Sequence, residues 1–177
     1  MRYVALLGSI NVGGNQLKMA DLRAALEEDG FANVGTVVAS GNVLFDHAQA
    51  ADAKLEKKIA GVISRRFAID TFATVRSRAE LAEALEECPF ADGGEEKFVH
   101  IVFLDGQPTQ AEFARLATDH EGRGNERLAP GTRALHVDFV DGVARSKLTT
   151  AFIERRLGCR GTARNIRSLK RILGQMA

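Results

Sequence analysis

The sequence predicts an α+β protein made of two tandem ferredoxin-like halves, α/β plaits of β-α-β-β-α-β order, each with an extra C-terminal helix. Three observations carry this. Apolar stretches of strand length alternate with apolar residues at helical spacing. The order of the two patterns is the same before and after residue 92. Each half also holds two strand patterns joined by a turn short enough for a hairpin, the mark of a split βαβ unit.

Residues 2–7 are nearly all apolar, as in a central strand, and a Gly- and Asn-rich loop follows from Gly8 to Gln16. Met19, Leu22, Ala25 and Leu26 recur at helical spacing, and Gly30 is placed to close that helix. Strands are expected over 34–39 and 43–46, joined by the tight turn Ser40-Gly41-Asn42. Leu55, Ile59, Val62 and Ile63 mark a second helix, followed by a strand over 69–75 and a helix over 78–87. Pro89 and Ala91-Asp92-Gly93-Gly94 suggest a boundary, giving domains 1–92 and 93–177. In the second half strands are expected over 97–104, 126–129, 133–140 and 160–163, with a turn at Pro130-Gly131. Helices are expected over 109–118, 148–157 and 165–176.

With 177 residues, 45% hydrophobic and 27% charged, the composition is that of a folded globular chain. No apolar run reaches the about 18 residues of a membrane span. Cys88 and Cys159 stand alone, without metal spacing, which with the absence of an export signal leads to the expectation of a reducing cytoplasm. The net charge is +1, yet the segment 144–177 concentrates nine bases against one acid. The bases are Arg145, Lys147, Arg155, Arg156, Arg160, Arg164, Arg167, Lys170 and Arg171, and the acid is Glu154. A local excess of this kind draws anions such as phosphate.

Topology predicts where the polar loops gather. In a split βαβ plait the first two strands are parallel and the third runs antiparallel between them. The loop leaving strand one, with Asn11, Gly13, Gly14 and Asn15, should therefore share a rim with Ser40, Gly41 and Asn42. The first helix would begin there with Lys18. In the second half the same logic joins Arg145, Ser146 and Lys147 to Thr162, Arg164 and Asn165. These residues are the candidate anion site: glycines for backbone access, Asn and Ser for hydrogen bonds, Lys147 and Arg164 for charge. Facing rims would line one basic cleft.

The segments Tyr3-Val4-Ala5-Leu6-Leu7, Ile10-Asn11-Val12-Gly13-Gly14, Ser40-Gly41-Asn42-Val43, Ser146-Lys147-Leu148 and Thr162-Ala163-Arg164-Asn165 resemble, in order, the signature blocks of the DUF1697 family. That is a bacterial family of unknown function. The resemblance implies the same two-plait fold and brings no activity, substrate or cofactor. Gly8-Ser9 stands where the family usually has Arg-Gly, and Ile166 where it often has Trp.

Other signals are weaker. The first loop has Gly8 and Gly13 at P-loop spacing, but Gly14-Asn15 replaces the Lys-Ser/Thr that reaches phosphates and metal. Its plain alternative is a tight turn with Asn15 capping the helix. Ser146 and Lys147 lack the Ser-x-x-Lys spacing of a nucleophile and its base, and Ser146 reads better as a helix cap. His47, His100, His120 and His136 have no second ligand at metal spacing, so no metal and no cofactor are expected. The last helix carries Ile166, Leu169, Ile172, Leu173 and Met176 on one side and Arg167, Lys170 and Arg171 on the other. The function expected from all this is binding of a phosphate-bearing, nucleotide-like ligand. The alternatives are nucleic-acid binding through the basic C-terminal segment, and a scaffold that self-associates as a homodimer without ligand. Nothing points to catalysis or to a membrane partner.

Overall fold

The computed structural model describes residues 1–8, 17–38 and 41–177. The chain divides into two compact units, one of Met1–Leu81 with Lys170–Ala177, the other of Ala82–Leu169. The sequence suggested instead a single division after Asp92.

The first unit contains β1 (Arg2–Leu7), α1 (Met19–Glu28), β2 (Ala32–Thr36), β3 (Asn42–Asp46), α2 (Ala53–Phe67) and β4 (Ala73–Ser77). The second contains β5 (Val99–Leu104), α4 (Gln110–His120), β6 (Arg127–Gly131), β7 (Ala134–Asp138), α5 (Thr150–Leu157) and β8 (Gly161–Asn165). Two helices straddle the division, α3 (Arg78–Glu87) directly after β4 and α6 (Ile166–Gln175) directly after β8. Among the described residues the strands form two four-stranded sheets in the orders β2-β3-β1-β4 and β6-β7-β5-β8, antiparallel throughout. This is the split βαβ plait, twice.

Alternation of side chains sorts each sheet into two faces. In the first unit Tyr3, Ala5, Leu7, Val43, Phe45, Ala73 and Val75 point into a core completed by Leu22 and Leu26 of α1 and by Leu55, Ile59, Val62 and Ile63 of α2. The opposite face is buried too, with Val4 and Leu6 at 0% exposure, which is why β1 reads as a continuous apolar run. In the second unit Val102, Leu104, Leu135 and Val137 meet Leu116 of α4 and Ile153 and Leu157 of α5.

Caps fix where the helices begin. Asp52 accepts from the Lys54 and Leu55 amides ahead of α2, and Thr109 with Glu112 forms a capping box on α4. The cap of α5 is Thr149, which accepts from the Phe152 amide at 3.2 Å; Ser146, read from the sequence as the cap, is not. Pro130 and Gly131 are paired within β6, so the hairpin turn is Thr132-Arg133, with Arg133 at φ 47°. The fourth strand of the first unit starts at Ala73, four residues later than the apolar pattern from Ile69 suggested.

Candidate functional site

At the first unit's rim, register brings the end of β1, Leu6 to Gly8, beside Gly41 and Asn42 at one end of the sheet. Leu6 pairs with Asn42, the Leu7 amide donates to the Gly41 carbonyl at 2.8 Å, and the Gly8 amide donates to Phe72 at 2.9 Å. Asn11, Gly13, Gly14, Asn15 and Ser40 lie outside the described residues. Asn42 is 3% exposed, and its side-chain amide donates to the carbonyls of Val37 and Val38, both at 3.1 Å. It therefore holds the β2–β3 connection closed, where Gly41 adopts φ 92°. Lys18 is the exposed N-cap residue of α1 and makes no side-chain cap; the cap position proposed for Asn15 falls on Lys18 instead.

The second unit holds a pocket of about 480 Å³ between the helical side of its sheet and the segment running into α5. Val102, Phe139, Leu148 and Ile153 form its floor and are buried, whereas Val143, Ala144, Thr149 and Thr150 form an exposed rim. Its polar groups are the hydroxyls of Ser146, Thr149 and Thr150, the His100 ring and the Glu154 carboxylate. Glu154 Oε1 accepts from the edge-strand amide of Gly161 at 3.1 Å. His100 stacks edge-on against Phe139 with centroids 5.0 Å apart, and its Nδ1 lies 3.1 Å from the Phe98 carbonyl. A carbonyl only accepts, so Nδ1 carries the hydrogen and Nε2 of the neutral ring is the acceptor. Burial lowers the pKa of His100, outweighing the opposing Phe98 hydrogen bond, and keeps the ring neutral near pH 7.

Ser146 belongs to a buried polar chain at the pocket wall. Its hydroxyl donates to Glu126 Oε1 at 2.5 Å and accepts from the Leu148 amide at 3.1 Å. Glu126 Oε2 lies 3.3 Å from His120 Nε2, and both side chains are buried, at 7% and 8% exposure.

Register also separates residues that the sequence had grouped. His100, Val102 and Leu104 pair with Asn165, Ala163 and Gly161, and these belong to the pocket face. Ile101 and Phe103 pair with Arg164 and Thr162, so Arg164 and Thr162 point to the opposite face from Ser146. There Arg164 Nη1 donates to Thr162 Oγ1 at 2.7 Å and to the Ala163 carbonyl at 2.9 Å, and burial lowers its pKa to about 10. Asn165 caps α6 by accepting from the Ser168 amide at 2.8 Å. Arg145 and Lys147 are exposed on either side of Ser146. Arg167, Lys170 and Arg171 are exposed on α6, opposite the buried Ile166, Leu169 and Ile172. Sequence reasoning weighed His100 and His120 only as metal ligands, named Glu154 only as the one acid of the basic tail, and passed over Glu126, Thr149 and Thr150 as site residues. No local spacing links them; only strand pairing and the path of the 139–149 segment bring them together.

Among the described residues no helix is long and apolar enough to cross a membrane, and no group of three or more His, Cys, Asp or Glu is placed to hold a metal ion. Cys88 and Cys159 are free thiols, and burial pushes the Cys159 thiol up to about 11.

Two split βαβ plaits, the second carrying this pocket, define the class of fold. The model of the DUF1697 family, proteins of unknown function, matches residues 1–136, and the chain belongs to that family. Its fold is similar to that of the conserved bacterial protein SP0830 from Streptococcus pneumoniae, with a TM-score of 0.73 at 21% identity. That similarity covers 99% of this chain and 97% of the other. No curated protein matches the chain.

Proposed function

We propose that this protein binds a small organic anion, a phosphate-bearing molecule with an apolar body, in the pocket of its second unit. The observation that carries the reading is the pocket of about 480 Å³ with an apolar floor, a rim of hydroxyls and two cations on its bounding segment. A volume of this order fits a small ligand, and few convergent polar groups over an apolar floor is the usual makeup of such sites. Val102, Phe139, Leu148 and Ile153 would cover the apolar body. Ser146, Thr149 and Thr150 would supply hydroxyl hydrogen bonds. Arg145 and Lys147 supply the positive field, and neither has an ion-pair or hydrogen-bond partner for its side chain among the described residues. The positive end of α5 adds to that field. Thr162 and Arg164, on the other face, take no part.

A thermal-shift series with nucleotides, sugar phosphates and aryl phosphates tests the reading. A ligand at a hundred times its Kd should add about 2.7 kcal/mol of stability. The gain should vanish in Ala163→Phe, which fills the pocket, and shrink in the Arg145→Glu, Lys147→Glu double variant. Absence of any shift across the series removes the proposal.

A second reading has its own observation, the exposed row of Arg167, Lys170 and Arg171 on α6. Such a row suits a nucleic-acid backbone, and each phosphate neutralised on duplex DNA would steepen the salt dependence by about 0.9 in log–log slope. Salt-dependent retention on DNA or RNA that is lost in the triple Glu variant and unaffected by Ala163→Phe would favour it.

A further inference from the structure

We propose that Ser146 is a nucleophile, with Glu126 as its general base and His120 as the residue that positions Glu126. The site would act on small carboxylic esters whose acyl part enters the pocket.

Three features converge on Ser146. Its hydroxyl donates to Glu126 Oε1 at 2.5 Å, the contact a base must make with the proton it removes. The base is in turn approached by a third group, since His120 Nε2 lies 3.3 Å from Glu126 Oε2. A nucleophile, a base in hydrogen-bond reach and a residue that orients the base is the general arrangement of activated hydroxyl catalysis. The nucleophile also opens on a space large enough for a substrate, because Ser146 lines the pocket of about 480 Å³.

The burial of the pair argues that it is more than a surface contact. Glu126 and His120 are 7% and 8% exposed. The 3.3 Å approach lacks hydrogen-bond alignment, and Glu126 Oε2 and both ring nitrogens of His120 have no hydrogen-bond partner among the described residues. Unsatisfied buried ionisable groups are costly and concentrate at functional positions. A packing role alone would be met at less cost by apolar residues.

The chemistry closes on groups already described. Ser146 Oγ attacks the ester carbonyl carbon as its proton passes to Glu126 Oε1. The carbon–oxygen bond to the alcohol breaks, and the departing alkoxide takes that proton from Glu126. The acyl group is left on Ser146. Water, deprotonated by Glu126, then attacks the same carbon; the acid leaves and Ser146 regains its hydrogen. Amide donors for the oxyanion are at hand, because the first turn of α5 leaves N–H groups without intrahelical acceptors and Thr150, at its start, lines the pocket.

The inference shares the pocket with the function proposed above and is tested without a charged ligand. The full chain is treated with a neutral fluorophosphonate and, separately, with 4-nitrophenyl butyrate; adducts are mapped by mass spectrometry and hydrolysis is followed against pH. The expected result is a single adduct on Ser146, absent in Ser146→Ala. In Glu126→Gln, which keeps size and the contact with Ser146, labelling should slow on the order of 10²-fold. The pH profile of hydrolysis should move in His120→Asn, which a residue of packing alone would leave in place. Labelling should be found even if the thermal-shift series shows no anion binding, because both probes are uncharged. No adduct on Ser146 in the wild-type chain, or an equal rate in Glu126→Gln, overturns the proposal.

Discussion

The two units share a framework and differ in the side chains that their sheets turn toward the helices. Strand pairing aligns them residue by residue: Tyr3 with His100, Val4 with Ile101, Phe45 with Val137, Ala73 with Gly161, Val75 with Ala163. The same alignment superposes Thr74 on Thr162, Arg76 on Arg164 and Asp46 on Asp138. The two arginines even fold back alike, each Nη1 donating to the carbonyl before it at 2.9 Å. Ser77 and Asn165 occupy one equivalent position and cap α3 and α6 in the same way. On the helical face, however, the second unit is smaller at four aligned positions: Tyr to His, Phe to Val, Val to Ala, Ala to Gly. Ala5 with Val102 and Val43 with Leu135 run the other way, one step further along the sheet. The difference teaches how side-chain size shapes a common plait, because three of the four smaller residues, His100, Gly161 and Ala163, line the pocket of the second unit.

The largest expected effect breaks the comparison if it fails. Tyr3 is 2% exposed and packs on Phe45 at 5.7 Å between ring centroids. Tyr3→Ala should cost about 3–5 kcal/mol in equilibrium denaturation, the range for deleting a buried aromatic. His100→Ala at the aligned position borders space that is already open, and should cost about 1 kcal/mol. Equal losses would mean that the pocket is not a pocket in solution. A smaller effect sharpens it. Ala163→Val restores the residue of the first unit, and should gain about 1 kcal/mol from its added methyl groups while weakening any pocket ligand. Destabilisation would show that this wall cannot accept what the first unit accepts.

The smallest effect is in pH dependence. His136, on β7, is 0% exposed; burial, the largest cause, lowers its pKa against the opposing pull of Glu87, whose Oε2 lies 3.7 Å from Nε2. Its folded pKa thus lies below the unfolded value of about 6.5. Below that pH the unfolded chain takes up a proton that the folded chain refuses, so stability falls as pH drops from 7 towards 5. His136→Gln should flatten that slope. The first unit has Leu44 at the aligned position, so the contribution of His136 belongs to the second unit.

The alternating fold was legible because its elements are written in local periodicities. The continuous apolar run of residues 2–7 and the helical spacing of Leu55, Ile59, Val62 and Ile63 each needed nothing but near neighbours. Pro130-Gly131 misled because a turn dipeptide can also close an edge strand, where Pro130 has one side without a ladder partner. The candidate site was legible only in part. Ser146 and its flanking cations were picked out by charge, and the shared edge of Leu7 and Gly41 by topology. Glu126 and His120 were invisible because their relation to Ser146 exists only after the 139–149 segment has folded back on the sheet. The repeat Thr-x-Arg-Ser/Asn, at 74–77 and 162–165, is short enough to pass unnoticed until strand register lines it up. Arg164 was assigned to the wrong side for the same reason, since one residue of register sends a side chain through the sheet.

The strand that walls the pocket ends at Asn165, and α6 begins at Ile166 with no connecting loop. The residue that finishes the sheet is also the one that ties down the first turn of the helix. A joint of this kind has no slack. With no loop between them, a shift of Ala163 would be carried into α6 four residues on, at the exposed Arg167.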